Sequence, residues 1–176
     1  MKNVLIIAKR ELKGFFDSLM AYVLLILFLG LSGFFTWLFG PTIFSRDQAS
    51  LSVFFSVAYW TLFFFIPTLT MRMLAEENRS GTLEMLATKA LDDWQIVAGK
   101  FLACWTLVLI ALLATVPYYI SVAQLGNIDH GATIGGYIGL VLVSAAYTGI
   151  GLFTSSLTNN QIIAVLLALF IGIFFQ

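Results

Sequence analysis

Of the 176 residues, 60% are hydrophobic and only 10% charged, which excludes an ordinary water-soluble domain, where about half the residues are apolar and about a quarter charged. Nine basic and nine acidic residues cancel to a net charge of zero, so charge points to no nucleic-acid partner. The single cysteine, Cys104, lies in an apolar run and cannot close an intramolecular disulfide.

Residues 1–18 predict an amphipathic helix. Leu5, Leu12, Phe15 and Leu19 recur near helical spacing, and Lys2, Lys9, Lys13 and Asp17 occupy another face. That pattern suits a helix lying flat on the inner leaflet, with lysine stems reaching to the headgroups. It is no cleaved signal peptide: the apolar run Val4 to Ala8 is short and is followed at once by Lys9, Arg10, Glu11 and Lys13.

Five uncharged apolar stretches follow, at about 19–39, 51–71, 101–123, 133–153 and 161–176. A helix rising about 1.5 Å per residue needs roughly 20 residues to cross a hydrocarbon core about 30 Å thick. The first four stretches meet that length. The fifth falls short, so the chain is expected to stop inside a helix and the natural protein to continue. Strands of a membrane barrel are about 10 residues long and alternate apolar with polar; these runs are longer and apolar on every face. The expected fold is therefore all-α, a polytopic transmembrane helix bundle forming one domain over 1–176.

Pro67 and Pro117 are expected to kink the second and third spans. In the fourth, Gly135, Gly139, Ser144 and Gly149, with Gly136, Leu140, Thr148 and Ala145, place small residues along the helix, which predicts close packing within the chain. Trp37, Tyr59, Trp60, Trp105, Tyr118 and Tyr119 include candidate interfacial anchors. His130 beside Asp129, in a turn after the third span, reads as a solvated loop residue and not as a metal ligand.

Basic residues set the expected orientation. Lys2, Lys9, Arg10 and Lys13 precede the first span, and Arg72, Arg79, Lys89 and Lys100 lie between the second and third. Only Arg46 falls between the first and second. The positive-inside rule then places the N-terminus and segment 72–100 in the cytoplasm.

Segment 72–100 concentrates the polar residues, Glu76, Glu77, Glu84, Asp92 and Asp93 among them. The second helix is expected to run to about Asn78 and to break at Ser80-Gly81, with Thr82 capping a short helix and Glu84 in its first turn. Leu83, Leu86, Ala87 and Ala90 form an apolar stripe. Asp92 with Gln95 is a capping-box signature for a helix leading into the third span. The product is a helical elbow at the membrane surface. Its length exceeds what a connector requires, and its stripe rimmed by Glu and Arg suits a groove on a cytoplasmic partner.

The residues Ile66 to Arg72, Ala75-Glu76-Glu77, Gly81-Thr82-Leu83-Glu84, Trp94 to Val97 and Gly99-Lys100 resemble the ABC-2 type exporter permeases. More narrowly they resemble the permease of the bacterial gliding-motility ABC transporter. The resemblance continues through Gln124 to Asp129, Gly131 to Gly135, Gly151 to Thr158 and Asn160 to Ile162. The chain departs from that pattern in having Ala90 where proline is common, and five spans where the family has six. The resemblance implies a permease subunit in a bacterial inner membrane, paired with a second permease subunit, alike or different. It implies a separate ATP-binding subunit that carries ATP and magnesium. It also implies that Glu76, Glu77, Arg79, Gly81, Thr82, Leu83 and Glu84 lie at or beside the contact with that ATPase.

The residues bear on the energy source. Ion-coupled carriers place ionisable side chains inside the membrane, and the five stretches hold no charged one. Gly99-Lys100 does not end a P-loop, because Phe101 stands where Ser or Thr is needed and Trp94 where the first glycine is needed. A motor on a separate chain is expected, no cofactor is expected on this one, and no catalytic or metal site is read. The rival functions are a non-transporting scaffold anchoring a cytoplasmic ATPase machine and, more remotely, a secondary transporter.

Overall fold

The computed structural model describes residues 2–38, 50–80, 92–126 and 128–175, without the side chains of residues 76 and 78–80. Seven helices occur among them, and no strand: α1 (Lys2–Asp17), α2 (Leu19–Trp37), α3 (Ser52–Ser80), α4 (Asp93–Leu113), α5 (Val116–Leu125), α6 (His130–Ser156) and α7 (Gln161–Phe174). Helices able to cross a membrane by length and composition cover Leu19–Trp37, Ser52–Ala75, Asp93–Leu125 and His130–Ser156. The protein is a polytopic membrane helix bundle. α7, at 14 residues, is shorter than the roughly 20 that a perpendicular crossing needs.

Local chemistry sets the joints. Ser18 separates α1 from α2, its hydroxyl accepting from Met20 N–H at 3.4 Å. Asp129 caps α6 by accepting from the N–H groups of Gly131 (2.9 Å) and Ala132 (3.1 Å), and Asn160 caps α7 through Ile162 N–H at 3.0 Å. At Asp92 the expected capping box does not form: its carboxylate accepts from the Gln95 side-chain amide at 2.9 Å and makes no cap bond to the backbone.

The two prolines behave differently. The third span is two helices, α4 and α5, with Pro117 in the first turn of the second. Thr115 seals the joint, donating to the Leu112 carbonyl at 2.7 Å, while Tyr137 Oη stands 3.1 Å from its hydroxyl. Pro67 lies inside α3, which runs on through it.

α3 is the hub, packing against α2, α4, α6 and α7, while α1 lies along α4. Phe54, Ala58, Leu62, Ile66 and Leu69 form one buried line of the core, against Phe28 of α2, Leu107 and Val108 of α4, and Leu140 and Tyr147 of α6. Tyr118 of α5 donates to the Leu29 carbonyl at 3.0 Å, and a Cβ on Gly33 would stand 2.8 Å from that hydroxyl oxygen. Glycine thus lets the Tyr118 ring reach the α2 backbone.

A further sequence expectation needs correction, in α6. In α1, Leu5 points outward and Phe15 is buried. Position 7 and its neighbour Val4 face α4, since a Cβ on Gly99 would stand 2.6 Å from Ile7 Cγ2 and 3.2 Å from the Val4 carbonyl. In α6, Gly135, Gly139 and Gly149 have nothing within 4 Å of where a Cβ would be. The close approaches fall on Gly136, where a Cβ would meet the Phe55 ring at 2.5 Å, and on Gly151, where it would collide with Thr70 Oγ1. The reason is helical phase. The buried line runs through Leu140, Ser144, Thr148, Gly151 and Ser155, and Gly135, Gly139 and Gly149 lie on the opposite side of the helix, about 140–180° from it.

Candidate coupling site

The polar chemistry gathers at the end of the bundle where α3 finishes at Ser80, α4 begins at Asp93 and α1 lies alongside. Of the seven predicted contact residues, Gly81, Thr82, Leu83 and Glu84 lie outside the described residues, and Glu76 and Arg79 are described in backbone alone, within the last turns of α3. Glu77 is the predicted contact residue whose side chain can be placed. It turns inward to Lys100, with Oε1 2.7 Å from Nζ.

Lys100 is 2% exposed. A lysine serving only to orient a span would extend its ammonium to water; this one is enclosed. Its second carboxylate is Glu11 of α1, at 3.7 Å. An unpaired buried ammonium costs several kcal/mol, and here two carboxylates from two other helices offset that cost. The 2.7 Å bond to Glu77 is a charge-assisted hydrogen bond, and the Glu11 contact is a longer-range charge interaction.

The backbone explains how the three groups meet. Glu11 is one turn from Ile7 and one turn from Phe15, on the α1 face that packs inward. Gly99, with no side chain, lets that face approach α4. Four residues earlier, Asn3 Nδ2 donates to Gln95 Oε1 at 3.0 Å. Three helices are thereby joined around one cation, and two of them are the helices that flank residues 81–91.

A second junction lies one layer deeper. Ser155 of α6 is fully buried. Its Oγ accepts from Leu74 N–H (3.2 Å) and Ala75 N–H (3.0 Å) and donates to the Met71 carbonyl (3.0 Å). A hydroxyl has one donor and two acceptor positions, so its capacity is filled by the backbone of α3. One turn earlier, Thr70 donates to the Ile66 carbonyl at 2.9 Å, close beside Gly151. The last turns of α3 are thus fixed to α6 by Ser155 and to α4 by Glu77.

A cleft of about 600 Å³ opens beside this end, lined by Leu74, Trp94, Phe101, Gly149, Phe153 and Ser156 among others. Gly149 contributes to that open face, which is why a Cβ there would meet nothing within 4 Å among the described residues. On the opposite end, His130 Nδ1 lies 2.8 Å from the Tyr119 hydroxyl.

Sequence reasoning missed Glu11 and counted Lys100 only as a topogenic charge. The signal for Glu11 was a carboxylate at helical spacing between Ile7 and Phe15. For Lys100 it was a cation seven residues past the acidic helix start at Asp92-Asp93, following a glycine and opening an apolar run.

Helices long and apolar enough to cross a lipid bilayer, with the ion pairs among the described residues at one end, define a multi-pass membrane protein. Residues 5–176 match the sequence model of the ABC-2 family transporter proteins, and the chain belongs to that family. It is a transporter membrane component. Comparison with curated proteins gives no match.

Proposed function

We propose that the chain is the permease subunit of an ATP-driven exporter in a bacterial inner membrane, with its N-terminus in the cytoplasm. A separate ATP-binding subunit, carrying ATP and magnesium, docks against segment 72–100, and a second permease subunit completes the pathway. The observation that carries this reading is the binding of both roots of residues 81–91 into the bundle through Glu77 and Lys100, 2.7 Å apart. A connector with no mechanical duty needs no such anchor. An element that receives force from an outside motor does, because force on an unanchored loop is dissipated in loop motion before it reaches the spans.

Within this reading, Glu76, Arg79, Gly81, Thr82, Leu83 and Glu84 face the ATPase, while Glu77 secures the elbow from the inside. Export of a surface component, gliding motility included, is the process that the sequence resemblance supports.

The test is photo-cross-linking from a benzophenone residue at Leu83 in native membranes. The expected product is an adduct with a P-loop protein. Labelling from the opposite side of the membrane, or adducts lacking any nucleotide-hydrolysing protein, would overturn the proposal.

A further inference from the structure

We infer that Lys100 is a positioning residue that makes α1, the end of α3 and the start of α4 a single moving body, so that displacement of the coupling segment is delivered to α1 as well as to the spans. The inference rests on the reading of segment 72–100 as the docking element.

The geometry supports a clamp in three ways. First, Lys100 binds across the segment: Glu77 and Lys100 are 23 positions apart, on the two helices that leave and re-enter the bundle, yet their charged atoms are 2.7 Å apart. Pulling the roots apart means exposing or orphaning an enclosed ammonium. Second, the same ammonium holds a third helix through Glu11, at 3.7 Å. Third, α1 is tied to α4 again at Asn3–Gln95 and by the close approach of Ile7 to Gly99. With attachments from residue 3 to residue 11, α1 cannot pivot on α4 about a single point.

A purely structural reading treats Lys100 as a satisfied ion pair and nothing more. The two readings separate because neutral replacement of a whole buried ionic group often preserves folding, whereas a clamp needs the charge to hold three elements in register. A membrane protein could fill this space with apolar side chains at less desolvation cost. The use of a lysine and two carboxylates, where both roots of the segment meet α1, fits a contact that must stay closed under load.

The experiment uses the full permease–ATPase complex in nanodiscs, with spin labels at Lys9→Cys on α1 and Trp94→Cys on α4, in a Cys104→Ala background. Both label sites are exposed. In the otherwise unaltered chain the 9-to-94 distance is expected to be the same with and without ATP, while a 94-to-124 distance, with a label at Gln124→Cys, changes. In the neutral triple variant Glu11→Gln/Glu77→Gln/Lys100→Met, the complex is expected to assemble, the 9-to-94 distance to gain a nucleotide-dependent second population, and permease stimulation of ATP hydrolysis to fall by roughly 5-fold or more, the lower end of ordinary coupling between sites. The single variant Lys100→Arg, with Glu11 and Glu77 intact, is expected to keep the single distance. If the triple variant assembles and keeps one distance and full stimulation, the clamp is overturned while the docking reading stands. If the unaltered permease binds and stimulates no ATPase, the docking reading fails and takes the clamp with it.

Discussion

The Ser155 hydroxyl lies within the backbone ladder of α3, 3.0 Å from the N–H of Ala75, which donates to it. It is a side chain of α6 satisfying the main chain of α3, at the depth where α3 leaves the bundle for the segment beyond Ser80. The relationship fixes the axial position of one helix on the other, since a slip by one residue would break the three bonds of Ser155 to Leu74, Ala75 and Met71.

Replacing Ser155 with alanine removes an acceptor from two buried N–H groups and a donor from one buried carbonyl. The expected loss is about 1–3 kcal/mol, the cost of leaving buried polar groups poorly satisfied. It should appear as a lower midpoint of thermal unfolding in detergent. An unchanged midpoint would mean that the α3 ladder closes without the hydroxyl.

The glycines of α6 should divide into two groups. Gly151→Ala places a methyl on Thr70 Oγ1 and is expected to destabilise by about 1–3 kcal/mol through overpacking. Gly135→Ala and Gly139→Ala meet nothing within 4 Å and should be neutral or stabilising by about 0.5–1 kcal/mol, from the better helix propensity of alanine. Thermal midpoints of the three single variants decide it.

At the ion-pair cluster, removing one partner should be worse than removing all. Lys100→Met removes the ammonium that two partly buried carboxylates share, with an expected cost of up to about 3–5 kcal/mol, whereas the neutral triple variant should recover most of that. Denaturation in a graded detergent series measures both. Equal losses would show that the charges do not interact.

Thr115 and Tyr137 offer a test of the joint between α4 and α5. Thr115→Val and Tyr137→Phe each remove one side of their 3.1 Å contact. A double-mutant cycle is expected to give a coupling energy of about 0.5–1.5 kcal/mol, the ordinary net worth of a hydrogen bond. Zero coupling would show that the two hydroxyls do not support each other and would leave the joint to Pro117 and the Thr115–Leu112 bond.

The sequence made the bundle legible because lipid imposes a coarse rule. A span must be about 20 apolar residues, and that pattern survives any detail of packing. Stretches 19–39, 51–71 and 133–153 overlay α2, α3 and α6 to within a few residues, apart from the extension of α3 to Ser80. The rule is silent on which side of a span meets protein. When every face is apolar, periodicity cannot separate lipid-facing from buried positions, and so Gly135 and Gly139 were as plausible as Gly136 and Gly151. At the coupling site, Glu77 stood in a motif read as facing outward. Its inward turn depends on Lys100, a pairing between helices that no local pattern encodes. The contribution of Ser155 was equally hidden, because a serine in a span bonds most often to its own helix, as Ser156 does to the Phe153 carbonyl at 2.7 Å.

Both carboxylates that surround Lys100 precede it in the chain. During synthesis from the N-terminus, Glu11 and Glu77 leave the ribosome before the lysine does. The counter-charges are therefore already at the membrane when α4 arrives, and the cation can be neutralised as it is laid down. A circular permutation that delivered α4 first would present the ammonium before either carboxylate, which makes the order of birth of these helices a part of how the cluster assembles.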